Sequence, residues 1–163
     1  MNDKKPIALI DTDVASYLLK GTSIGWEYLS LLHGYQIAVS FITAGELLFG
    51  ALRRDVGPRR HLHLNLFLVE YPIIPFQAGM ERLYSRVLVD RERMGKRLEK
   101  ADGWIATTAL YHRVPLATHD GDFVGTRGLR LITASEEARA AQLRLPVVSG
   151  RPLKLDMSCR CGL

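Results

Sequence analysis

Ile7-Ala8-Leu9-Ile10-Asp11-Thr12-Asp13-Val14-Ala15-Ser16-Tyr17-Leu18-Leu19 opens on four apolar residues and runs straight into an acid. A short apolar run with a polar boundary reads as a strand covered on both faces. From Asp13 onward the apolar residues Val14, Tyr17 and Leu18 take helical spacing, so Asp11 stands where a central strand ends and a helix begins. Ligands of open α/β sheets bind just outside the carboxyl ends of the strands. Asp11, with Asp13 close behind, is therefore placed to hold a cation or take up a phosphoryl group. An N-cap role explains the same acid, since Asp is common immediately before helices, and this stretch alone does not choose between the two.

Outward from it, strands and helices alternate. Residues 25–33 read as a short helix, 35–40 as a second strand with β-branched Ile37 and Val39, and 43–52 as a helix running into Arg53 and Arg54. Pro58 is placed to open the next helix, to about residue 68. Residues 71–75, bracketed by Pro72 and Pro75, read as a strand near a sheet edge. Apolar residues at 80, 83, 84, 87 and 88 mark a helix over 77–94, and 98–112 is a further one. Residues 114–118 and 128–133 give the last strands, separated by the turn His119-Asp120-Gly121-Asp122, and Ser135 opens a final helix. Such alternation predicts an α/β fold with a parallel sheet covered on both faces. Right-handed crossovers then bring the strands' carboxyl ends to one edge.

The chain of 163 residues is long enough for one domain with a substantial core. We expect that domain over 1–148, with 149–163, which lacks periodicity, as a mobile tail. No apolar run approaches the roughly 20 residues of a membrane span, and the N-terminus passes directly into the first strand without a signal-peptide core. Cys159 and Cys161 lie two apart in the tail, a poor zinc site and a poor disulfide framework. A reducing cytoplasm is the expected setting. The net charge of +5 leans toward polyanionic partners. Its cations cluster at Arg53, Arg54, Arg59 and Arg60, and again at Arg91, Arg93, Lys96, Arg97 and Lys100, just before Asp102. Solvated helix faces explain such runs equally well.

Four acids fall at equivalent places in this plan. Asp11 ends the first strand, Glu46 lies in the first turn of the helix after the second, Asp102 in the first turn of the helix before the fourth, and Asp120 directly after the fourth. Each has a local explanation. Thr43-x-x-Glu46 matches a capping box, Asp102 suits a helix N-terminus, and Asp120-Gly121 is a common turn dipeptide. Asp102, however, shares a face with Ile105 and Ala106, where an unpaired carboxylate is costly. A bound cation accounts for all four at once, because clustered carboxylates repel unless one neutralises them. Oxygen-only donors suit Mg²⁺ or Mn²⁺. His61 and His63, two apart in a helix, make a poor ligand pair, and His119 is a weak candidate. With a basic surface, the natural reaction is metal-assisted attack of water on a phosphodiester.

LIDTDVASYLL, TAGELLFGA, KADGWIATTAL and LATHDGDF, in this order between about Ile7 and Thr133, resemble the PIN-domain family, and within it most closely the VapC-type toxins of toxin–antitoxin pairs. The resemblance implies a three-layer α/β/α sandwich around a five-stranded parallel sheet. It implies a Mg²⁺- or Mn²⁺-dependent ribonuclease, a homodimer, held inactive by a VapB-like antitoxin. The family's acidic positions fall on Asp11, Glu46, Asp102 and Asp120, with Asp122 a further acid of some members, and its hydroxyls on Thr12 and Thr118. Because they lie just upstream of Asp102, Arg91, Arg93, Lys96 and Arg97 are expected to steer RNA toward it. The tail has no counterpart in the resemblance.

Residues 43–68 carry more apolar side chains than one sheet face can bury: Leu47, Leu48, Phe49 and Leu52, then Leu62, Leu64, Leu66 and Leu68 at alternate positions. Some should be exposed, and an exposed apolar patch beside arginines suits an antitoxin or a second copy. Two rival readings remain. Asp-Thr-Asp-Val-Ala resembles the opening of haloacid-dehalogenase phosphatases, with Asp11 as nucleophile and Asp13 as acid–base, but leaves Glu46 and Asp102 without work. A non-catalytic module binding RNA or protein would not need an intact acid set, which repels RNA unless metal is present.

Overall fold

The computed structural model describes residues 5–144. Ile7–Ile10 (β1), Gln36–Ser40 (β2), Ile73–Ile74 (β3), Leu116–Ala117 (β4) and Leu131–Ile132 (β5) form one parallel sheet in the order β3-β2-β1-β4-β5. Ala8 and Ile10 of β1 point into one core with Val14, Tyr28, Val39 and Phe67, while Leu9 points into the other with Leu83, Val87, Ile105 and Leu116. The strand is thus buried on both sides, as its unbroken apolar run predicts.

Helices cover both faces. Thr12–Lys20 (α1), Ser23–Leu31 (α2), Phe41–Arg53 (α3) and Pro58–Glu70 (α4) precede β3; Met80–Arg93 (α5) and Lys100–His112 (α6) follow it; Glu136–Leu143 (α7) comes last. This is the expected three-layer architecture around five parallel strands. The 71–75 strand shortens to Ile73–Ile74 and lies at an edge. The last two strands shorten likewise to two residues each. The helix expected from residue 43 starts two residues earlier, because Ser40 rather than Thr43 caps it: the Ser40 hydroxyl accepts from the Thr43 amide at 3.0 Å. The domain boundary at 148, the tail over 149–163 and its two cysteines lie outside the described residues.

Two features bear directly on the acids. Chain order reverses between β1 and β4, which opens a crevice at their carboxyl ends. On the far side of the sheet Gly103 is buried where α6 crosses α5; a Cβ there would stand 2.9 Å from both Leu88 Cδ2 and Tyr84 Cε2. Tyr84 in turn stacks on Trp104, with ring centroids 4.1 Å apart.

Candidate active site

Asp11 is both an N-cap and a buried acid at the end of β1. It is 3% exposed, and its Oδ1 accepts from the Val14 amide at 2.7 Å, capping α1. Burial pushes its carboxyl up to about 7 from an ordinary 3.8; hydrogen bonds from the Thr118 hydroxyl and the Val14 amide oppose the rise, and Asp13 and Asp120 add to it. Thr118, fully buried just after β4, also accepts from the Asp120 amide at 3.0 Å through its hydroxyl. One side chain therefore ties the acid of β1 to the acid of β4 across the crevice.

Asp120 caps a 3-10 turn over Gly121–Phe123, its Oδ1 accepting from the Asp122 amide at 2.8 Å. The turn acid and the candidate site acid are again one residue. Asp102 sits half-buried in the first turn of α6. Burial raises its carboxyl to about 6, and Asp120, Glu46, Glu99 and Asp122 contribute to the rise. Glu46 belongs to the second turn of α3 and not to a capping box. It accepts a 2.5 Å hydrogen bond from the Thr12 hydroxyl, which joins α3 to α1. Asp13 is exposed. His119 turns its ring edge-on to Tyr17 and Tyr28, with Nδ1 3.2 Å from the Tyr28 hydroxyl.

The folded chain thus brings Asp120 within electrostatic reach of both Asp11 and Asp102, and Glu46 and Asp122 within reach of Asp102, and the charges that perturb Asp11 and Asp102 are all carboxylates. Among the described residues no three acidic or histidine side chains already converge as a ready-made metal cage. The donor set nonetheless fits a hard divalent cation, since it is oxygen-only and burial and neighbouring carboxylates disfavour the charged form of Asp11 and Asp102.

The basic run divides. Arg93, Lys96 and Arg97 are exposed. Arg91 is not available to RNA: it is 1% exposed, with Nη1 donating to Val124 O at 2.9 Å and Nη2 to Asp122 O at 2.6 Å. The reason lies in its spacing, for Met80, Leu83, Val87 and Arg91 form the buried stripe of α5. That spacing was the available signal. Tyr28 was not legible as part of the site; its buried hydroxyl donates to Thr118 O at 2.6 Å and accepts from the Ala134 amide at 3.2 Å.

The apolar surplus of α3 and α4 also divides. Leu64 is buried, whereas Phe49, Leu52, Leu62 and Leu66 are all more than half exposed. Between α1, α3 and α4 runs a groove of about 620 Å³ that reaches Thr12 and Glu46 at one end and Arg54, Arg60 and His63 at the other.

A family model, PIN domain, matches residues 8–129. The chain belongs to the PIN-domain family. This PIN domain is 30% identical over 140 residues to VapC ribonuclease Y4jK of Sinorhizobium fredii, an alignment covering 80% of this chain and 99% of that one. Its fold superposes on VapBC2 from Rickettsia felis, solved bound to a DNA fragment from their promoter, with TM-score 0.70 and 26% identity over 78% of this chain and 98% of the other. A toxin-antitoxin complex from Klebsiella pneumoniae gives TM-score 0.62 and 25% identity over 77% and 96%. The assignment sets aside the haloacid-dehalogenase alternative, in which the exposed Asp13 was to act as acid–base. None of the described helices is long and apolar enough to cross a membrane.

Proposed function

We propose that this PIN-domain protein is a cytoplasmic ribonuclease toxin that cleaves RNA phosphodiester bonds with Mg²⁺ or Mn²⁺ and is silenced by a VapB-like antitoxin. One observation carries the reading: Asp11 and Asp102 are both raised by burial and by other carboxylates, with no basic side chain among the causes. The ribonuclease relative, matched over nearly its whole length, supports the activity.

Asp11, Glu46, Asp102, Asp120 and Asp122 are the residues that would hold the ion. When bound, it supplies a lower pKa for water and offsets charge building on the phosphate. The chain's own residues orient the acids. Thr118 links Asp11 to the Asp120 turn, and the Thr12 hydroxyl fixes Glu46. Exposed Arg93, Lys96 and Arg97 lie just ahead of α6 and gather the phosphate backbone without regard to sequence.

The groove beside α1, α3 and α4 suits the antitoxin, because an apolar segment laid in it ends at Thr12 and Glu46. A second face suits a second copy of the chain. There Phe41 and Phe76 meet Trp104 edge-on, and Phe76 and Phe49 remain about half exposed or more. The test of the function is end-labelled RNA with Mn²⁺ and with EDTA. Cleavage should require the metal and leave 5′-phosphate and 3′-hydroxyl ends. Cleavage that persists in EDTA, or cyclic phosphate ends, would refute it.

A further inference from the structure

We infer that Arg91 is a positioning residue for the acidic turn: buried beneath it, the guanidinium holds Asp120 and Asp122 where they serve the metal site. The inference rests on the acids being that site, as proposed above.

The position calls for a reason. Arg91 continues the stripe Met80, Leu83, Val87, where an apolar side chain would pack at no electrostatic cost. A buried guanidinium is expensive unless its hydrogen bonds and charge are met. Here they are met only in part, since Nε is buried without a partner. Burial lowers the Arg91 pKa, and the Asp122 carboxylate opposes that. What the side chain gains is two backbone carbonyls, of Asp122 and Val124, which bracket Phe123 at the end of the 3-10 turn. An apolar residue would leave both carbonyls unmatched. The planar fork presents two donors in a fixed geometry to the two acceptors, whereas an ammonium is a point charge whose donors are not preorganised.

The turn is then fixed from both ends. Thr118 takes the Asp120 amide at its start, Asp120 Oδ1 takes the Asp122 amide within it, and Arg91 takes the carbonyls at its close. The same arginine places a positive charge behind carboxylates that repel one another. It touches neither substrate nor reacting atoms, so its effect passes through Asp120 and Asp122.

The experiment uses the full chain, with Arg91→Met and Arg91→Lys. Mn²⁺ binding is measured by calorimetry and by the loss of the free-ion electron paramagnetic signal, at a temperature where circular dichroism shows each variant folded. Supporting groups behind metal ligands typically contribute ten- to a hundredfold in affinity, so Arg91→Met should bind Mn²⁺ about tenfold or more weakly. Arg91→Lys, keeping the charge but losing the fork, should fall between it and the wild type. Amide hydrogen exchange should rise over 118–126 and stay unchanged over 7–18. A purely stabilising role would lower the melting temperature yet leave Mn²⁺ affinity per folded molecule intact, and that result overturns the inference. If Arg91→Met does not fold, Arg91→Lys decides alone: wild-type affinity and exchange would equally overturn it. A wild-type chain that binds no Mn²⁺ would instead bring down the metal-site reading, and this positioning role with it.

Discussion

Replacing Asp11 by Asn should stabilise the metal-free protein, and only above a definite pH. In the folded chain burial lifts the Asp11 carboxyl from an ordinary 3.8 to about 7. At about 1.4 kcal/mol per tenfold, the ionised acid costs the folded state up to about 4 kcal/mol. Below about pH 4 the group is protonated whether folded or unfolded, so the penalty is absent. Between about 4 and 7 only the folded chain keeps the proton, so wild-type stability falls as pH rises; above about 7 the loss is complete. Asn carries no charge, and its Oδ1 can still accept the Val14 amide and cap α1. Allowing for relaxation and for the weaker neutral hydrogen bonds, about 2 kcal/mol of the penalty should be recovered at alkaline pH. For a chain of this size that corresponds to a rise of roughly 5 °C in melting temperature. The assay is thermal denaturation in EDTA at pH 4.5 and pH 8.5. The gap between variant and wild type should open with pH, while RNA cleavage is lost. A variant that melts at or below the wild type at pH 8.5 would refute the reasoning and leave Asp11 a structural cap.

Reversing Arg93 and Arg97 to Glu should weaken binding to unrelated RNA sequences and lower the salt slope by about 0.7 for each phosphate no longer neutralised; an unchanged slope returns these residues to a solvated face. Gly50 lines the groove and has open space where a Cβ would go, so the indole of Gly50→Trp should extend into the groove. Antitoxin affinity measured by calorimetry should fall at least tenfold, with the melting temperature within a few degrees of wild type. Leu64→Asp is unsuitable for that purpose, because Leu64 is 2% exposed and its loss would unfold α4. Light scattering at micromolar concentration should report a dimer, and Phe49→Asp should return it to a monomer; a wild-type monomer refutes the second-copy face.

Sequence reading reached furthest where local pattern and tertiary role coincide. The apolar run Ile7–Ile10 is a central strand and looks like one. It erred where pairing partners set the limits: Leu116–Ala117 is laddered on both sides, yet Val114, equally strand-like in isolation, falls outside the ladder, and Thr118 closes it with only its amide, to Ile132 O. At Asp11 and Asp120 the cap reading holds, and capping does not compete with the proposed site role, since each carboxyl also lies at the carboxyl ends of the central strands. At Thr43 the capping-box pattern misled, because Ser40 had already taken the cap and Glu46 was left to meet Thr12. Arg91 was misread because a charge run hid its place on an apolar stripe, and charge alone does not tell which members of a run face water. Tyr28 carries no local signature of its role; its hydroxyl meets residues some ninety positions away.

Gly103 acts as a gauge block for the acid beside it. With no Cβ, it lets the first turn of α6, which carries Asp102, settle against Leu88 and the Tyr84 ring. A single added methyl group must displace Leu88 and the Tyr84 ring, which stacks on Trp104, or lift the helix. The seating of the helix that carries one of the acids is thus a matter of steric fit at the neighbouring position, a residue with no side chain at all.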